Sequence, residues 1–203
     1  MKNILKKIAL FALTVSCKAQ TQILDISDSG WNMITGAYYK DTNNLLDPFV
    51  GTYVYTNGNT SLKIVLQKKL MSSPTNHRYY EDLIIGGYQY IKDGEQITNS
   101  LNRLDAPNII NGRGFYSIKG NMIIKQGDPP CQHCIAGEKA LYIGLIDDLT
   151  DNWASVTIRR IIESGQPAIE IDLFWEGPKA WKEGTPRPLD AIFPGGYYTL
   201  IKQ

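Results

Sequence analysis

The sequence predicts an all-β fold, an antiparallel barrel-like domain of roughly eight to ten strands, with a β-sandwich of similar strand count as the competing arrangement. Three observations predict it. From Phe49 onward, apolar and aromatic runs alternate with turn signals. Two of those signals, Asn57-Gly58 and Asp93-Gly94, are dipeptides favoured by two-residue hairpins. No stretch beyond the N-terminal leader keeps a 3.6-residue period over about 11 residues, so extended helices should be scarce. Antiparallel strands leave two exposed edges, and closing the sheet removes them most directly.

Phe49 to Tyr55 is aromatic and β-branched and forms the first predicted strand. Thr60 to Leu70 alternates: Leu62, Ile64, Leu66 and Leu70 share one face, and Ser61, Lys63, Gln67 and Lys69 the other, with Val65 the exception. One face meets a core and the other meets water. Leu83–Ile91 and Glu95–Leu101 predict a second hairpin, and Gly86-Gly87 marks a bulge or sharp bend within it. Further strands are predicted at Gly114–Ile118, Met122–Gln126, Lys139–Ile146, Trp153–Ile162, Ala168–Trp175 and Gly196–Lys202. With no Pro/Gly/Ser-rich linker, residues 49–203 read as a single β domain. Residues 20–48, rich in Asp, Ser, Asn and Gly, read as an irregular segment. A helical turn is predicted over Thr42–Leu46, capped by Asp41 or Thr42 and ended by Pro48.

The leader itself predicts export. Lys2, Lys6 and Lys7 precede an apolar run from Ile8 to Val15 that closes on Ser16, the three-part plan of a signal peptide over residues 1–19. The run is far short of the ~20 residues that cross a bilayer. Two cleavage chemistries compete. Ser16-Cys17 resembles a lipobox, in which the chain is cut before a cysteine that becomes acylated, although Thr14 stands where Leu is usual. The alternative is a cut after Ala19 that leaves a free chain starting at Gln20. The reading favours a lipid anchor on Cys17 and a cell-envelope or secreted location, with contact to a membrane only through that anchor.

Charge excludes one class of partner. Of 21 basic side chains, cleavage before Cys17 removes three lysines, leaving 18 against 20 acidic ones, a formal charge of −2. Phosphate neutralisation by Lys and Arg supplies most non-specific nucleic-acid affinity, and no basic surplus remains to supply it. No nucleic-acid partner and no cofactor are expected.

Cys131-Gln132-His133-Cys134 carries the remaining cysteines. Ile135 stands where a c-type haem site needs His, and a zinc site would need a second ligand pair when His77 and His133 are the only imidazoles. Thioredoxin-like chemistry wants the pair opening a helix, and Asp128-Pro129-Pro130 leads in without one. A small structural disulfide in an oxidising compartment is the expected state, with redox activity behind it.

At Phe49-Val50-Gly51-Thr52-Tyr53 the chain resembles the opening strand of lipocalin-like domains, in which Gly, any residue and Trp begin a calycin-type barrel; Tyr53 replaces the Trp. A wider resemblance runs through the leader, Tyr38-Tyr39-Lys40-Asp41-Thr42, Gly51-Thr52-Tyr53, Tyr80-Glu81-Asp82-Leu83-Ile84-Ile85-Gly86 and Tyr198-Thr199-Leu200-Ile201-Lys202-Gln203. There the chain is similar to a family of small exported flavobacterial proteins of unknown function. That resemblance implies secretion and a β fold, and no activity.

Few constellations could carry chemistry. Glu170 and Asp172 share one strand face, ~6 to 7 Å apart by the extended rise, a separation open to acid and base carboxylates. The alternation of Ile169, Ile171 and Leu173 inward explains the same acids as a solvated face. Asp147, Asp148 and Asp151 crowd a short connection without the spacing or glycine of a calcium loop, which reads as turn chemistry. His77 and His133 give no nucleophile its base. Trp175, Trp181, Tyr197 and Tyr198 cluster near the C-terminus around Gly/Pro-punctuated loops and are the candidate ligand-binding residues. The sequence therefore favours a non-enzymatic β scaffold that binds a small ligand, glycan or protein partner. A carboxylate-dependent hydrolase using Glu170 and Asp172 is the alternative.

Overall fold

The computed structural model describes residues 21–28, 33–73, 78–105, 108–110, 113–131, 133–147, 149–150, 152–176 and 190–203. Among the described residues thirteen strands occur: β1 Ile23–Asp25, β2 Tyr38–Lys40, β3 Gly51–Asn57, β4 Thr60–Ser72, β5 Tyr80–Lys92, β6 Glu95–Asn99, β7 Asn108–Ile110, β8 Arg113–Phe115, β9 Ile118–Lys125, β10 Lys139–Ile146, β11 Trp153–Glu163, β12 Gln166–Trp175 and β13 Gly196–Lys202. No α-helix occurs among the described residues; three short 3-10 turns do.

Eight of these strands close into an antiparallel barrel in the order β3-β4-β5-β9-β10-β11-β12-β13, with β13 returning to β3 through Ile201↔Val54. The order is sequential except where β6, β7 and β8 leave the wall. Closure removes the edges, as the strand grammar requires. The second edge of β5 is shared along its length: β2 pairs at Tyr80–Glu81, β9 at Ile84–Gly86 and β6 at Gln89–Lys92. Gly86-Gly87 thus marks a change of partner, and the predicted bulge is not there. The register of β5 against β4 is unbroken from Leu83 to Ile91, and the irregularity falls instead between Lys69 and Ser72, where Met71 has a left-handed φ of +50°.

The interior is filled by inward residues of successive strands: Leu62, Ile64 and Leu66 from β4, Ile84 and Tyr88 from β5, Leu141 from β10, Ile158 from β11, Ile169 and Ile171 from β12 and Leu200 from β13, all buried. An eight-stranded barrel is just wide enough for side chains to fill it. Both ends are stopped by aromatic rings. Phe193 packs against Tyr88, Tyr90, Trp175 and Tyr198 where β5 and β12 end. At the other end Phe49 lies under the Arg160 guanidinium, and its carbonyl accepts the Tyr53 hydroxyl at 3.1 Å. Tyr53, the residue standing in for Trp, is therefore an inward core ring.

Three further departures have local causes. β1 and β2 lie within the segment expected to be irregular; at three residues each they are too short to display a period of two. The expected helical turn at Thr42–Leu46 is replaced by a 3-10 turn at Asp47–Phe49, with Pro48 inside it, although Asp41 does accept the amides of Leu45 and Leu46 at 2.7 and 3.0 Å. The predicted strand Gly114–Ile118 is split, because the Ser117 carbonyl turns aside to accept the amide of Ile146 at 2.7 Å.

Buried polar groups fasten the appended strands. Asp82, 1% exposed, accepts the Tyr38 hydroxyl at 2.6 Å and the amides of Met71 and Asp41 at 2.9 and 3.0 Å. Burial, then the Asp82 carboxylate, pushes the Tyr38 phenol up to about 12. Asp41 in turn pairs with Lys68 at 2.8 Å, which also reaches Asp47 at 2.6 Å.

Candidate functional site

Period-two alternation turns Tyr142 on β10, Ser155, Thr157 and Arg159 on β11, Glu170, Asp172 and Phe174 on β12, and Tyr197 on β13 to the outside of the wall. Register sets them side by side: Thr157 and Tyr197 flank Asp172 on its two neighbouring strands, and Arg159 stands opposite Glu170. Left alone this would be a solvated sheet face. The connection between β9 and β10 changes that by folding back over it.

That connection carries the cysteines, which form the expected disulfide with Cα atoms 5.3 Å apart. Cys131 and Cys134 are buried against Ile124 and Ala140, with Tyr142 packed beside them. The loop is pinned at three further points. The Thr157 hydroxyl donates to the Pro130 carbonyl at 2.9 Å, Arg159 binds both carboxylate oxygens of Glu138 at 3.0 and 3.1 Å, and His133 Nε2 shares a 2.7 Å hydrogen bond with the Tyr197 hydroxyl. The rings of His133 and Tyr197 meet edge to face at 5.2 Å. In consequence Ser155 and Thr157 are buried although they lie on the outer face.

Between loop and wall runs a cleft of about 410 Å³, with Pro130, Asp172, Phe174, Glu176 and Tyr197 among its walls. It adjoins a hollow of about 270 Å³ bounded by His133, Arg159, Glu170 and Tyr197. Polar groups here are held in place. Arg159 bridges Glu138 and, at 2.9 Å, Glu170, and hydrogen bonding to Glu138 raises its guanidinium above even its high ordinary value. Tyr142 donates to Ser155 at 2.8 Å, and Ser155 donates to Glu176. Loss of solvent, then the charge of Asp172, lifts the Tyr197 phenol above its ordinary value, so it stays protonated at neutral pH. Phe174 is 65% and Tyr197 55% exposed.

The structure thus brings Glu170, Asp172, His133, Tyr197 and the disulfide together, and it separates the other aromatic candidates from them. Trp175 packs on the core, its indole donating to the Phe193 carbonyl at 3.0 Å. Tyr198 faces inward, stacks edge to face on Tyr55 and donates to the Pro194 carbonyl at 2.6 Å; burial and the neighbouring Tyr90 push its phenol up to about 12. Trp181, His77, Asp148, Asp151 and Cys17 lie outside the described residues. Asp147 is a turn former, accepting from Leu149 and Thr150. Sequence reasoning passed over Phe174, Ser155, Thr157 and Arg159. The available signal was Phe174 itself, an aromatic ring where the alternation assigns a water-facing side chain.

Fold and site together define a closed, side-chain-filled, eight-stranded antiparallel barrel with a polar cleft roofed onto its outer wall by a disulfide loop. The chain belongs to a family of unknown function, DUF6705, whose profile matches residues 1–203. No curated protein and no solved structure matches it.

Proposed function

We propose that the protein is an exported, non-enzymatic binding protein whose ligand sits in the outer cleft of β11–β13, not in the barrel interior. The observation that carries this reading is the disulfide loop docked over the wall, which converts a sheet face into a cleft of ligand size with exposed aromatic rings beside fixed carboxylates. The interior, closed by Phe49 and Phe193 at its ends and filled between them, favours an outer site. Glu170 supports binding over hydrolysis. It serves as counter-ion to Arg159, which Glu138 also holds, and that ion pair accounts for the carboxylate without a hydrolytic role.

Amide chemical-shift mapping on isotope-labelled protein, titrated with a library of small polar fragments, tests the location. Binders should move the amides of Thr157, Asp172, Phe174 and Tyr197. Shifts confined to Leu62, Ile171 and Leu200 would place the ligand in the interior and overturn the reading.

Export rests on the leader at residues 1–19, and attachment on Cys17. Intact mass of protein recovered from membranes should show a chain beginning at Cys17 and carrying lipid. A soluble species beginning at Gln20 would remove the anchor and leave the export.

A further inference from the structure

Phe174 and Tyr197 stand on either side of Asp172. Asp172 pairs directly with Tyr197 across β12 and β13, and Phe174 is two residues along on the same face, so Phe174 and Tyr197 are diagonal neighbours with backbones roughly 7 to 8 Å apart. Each ring is more than half exposed. A phenyl face asks for a flat, weakly polar C–H surface, and two such faces along one cleft ask for a ligand that repeats that surface.

The polar groups narrow the ligand further. At the loop end, Arg159 offers donors held by Glu138 and Glu170; at the other, Asp172 and Glu176 are carboxylates that only accept. An anionic ligand would meet those carboxylates, and Arg159, already paired with Glu138 and Glu170, supplies no net positive charge to draw one; what favours a sugar over a cationic chain is the pair of exposed ring faces along the cleft. An apolar ligand would strip water from the carboxylates and from Arg159 without replacing its hydrogen bonds, a loss that buried polar groups make expensive. Hydroxyl groups donate and accept equally well, and a pyranose ring places them around the rim of a C–H face. Because Arg159, Glu176 and Tyr197 are already hydrogen-bonded before the ligand arrives, little ordering of them is required on binding.

We infer that the cleft binds a neutral oligosaccharide, with sugar rings packed on Phe174 and Tyr197, hydroxyls donating to Asp172 and Glu176, and hydroxyls accepting from Arg159. This rests on the outer cleft being the binding site.

The test uses the purified, disulfide-intact protein on an array of neutral glycans together with sialylated glycans and a tri-lysine peptide. Retained neutral oligosaccharides are then titrated calorimetrically against wild type, Phe174→Ala, Tyr197→Ala and Asp172→Asn. At least one neutral oligosaccharide should bind, with affinity falling tenfold or more in each alanine variant and about fivefold in Asp172→Asn, at unchanged melting temperature. If Tyr197→Ala proves less stable through its contact with His133, Phe174→Ala carries the comparison, because Phe174 is an outward side chain. No neutral glycan retained overturns the inference. Retention of the sialylated glycans or the lysine peptide instead, lost in Phe174→Ala, overturns the sugar while upholding the cleft. Glycan binding indifferent to all three variants overturns both.

Discussion

At the scale of single residues, buried carboxylates do work that their sequence context only half announces. Asp147 is fully buried, and its two oxygens accept the amides of Leu149 and Thr150, the Thr150 hydroxyl at 2.6 Å and the amide of Ile192 at 3.0 Å. The local bonds are turn chemistry and were legible from Asp and Asn crowded into a short connection. The bond to Ile192 spans forty-five residues and has no local signal. It ties the β10–β11 turn to the segment that delivers Phe193 into the end of the barrel. Asp147→Ala leaves these donors without a partner at a site closed to water, and such a loss costs about 1–3 kcal/mol. Urea unfolding of the variant should show a midpoint lowered accordingly with an unchanged slope. An unshifted midpoint would mean that the turn and the Phe193 segment hold without it.

At the scale of elements, legibility follows how much of each strand's environment is set by its own alternation. β4 was readable because Leu62, Ile64 and Leu66 face the core while Ser61 and Lys63 do not, and β10 to β13 were readable for the same reason. β1, β2, β7 and β8, three residues each, carry too few positions for a period to emerge. The site was legible in its parts and illegible as a whole. Glu170, Asp172 and Tyr197 were each singled out, yet their adjacency depends on the β12–β13 register, and the cleft depends on a loop that returns to cover strands distant in sequence. Ser155 and Thr157 show the limit of alternation alone: polar residues that it turns to the outer face are buried beneath the cysteine loop. Trp175 and Tyr198 show the converse, since aromatic residues near Gly/Pro-rich loops were needed to stop the barrel end around Phe193.

At the scale of the whole molecule, closure passes through one seam. Of the eight junctions in the barrel, six join strands that follow one another around the wall in sequence and one, β13–β3, joins its two ends; the β5–β9 junction instead spans the excursion of β6 to β8 and rests on three residue pairs, Ile84↔Gly120, Ile85↔Lys119 and Gly86↔Ile118. Gly86 lies in this seam with Leu66 opposite it on the other side. Its backbone is ordinary, so the requirement is space: a Cβ there would stand 2.8 Å from the Val65 carbonyl oxygen, 2.9 Å from Leu66 Cδ2 and 3.0 Å from Ile118 Cβ. The first of these is backbone and cannot swing away. Two effects of Gly86→Ala oppose each other. Restricting the unfolded chain stabilises by about 0.4–1 kcal/mol, and overpacking a closed wall costs about 1–3 kcal/mol. The second prevails because the contacts come from β4 and β9 at once, so relieving one by shifting β5 tightens the other. Gly86→Ala should therefore lower the urea midpoint, and amide exchange should quicken first at Ile84, Ile85 and Gly120, where the seam's pairs open. A variant as stable as wild type, with these amides as protected as before, would show that the wall has slack at its closure and that Gly86 is not what keeps β5 and β9 in register.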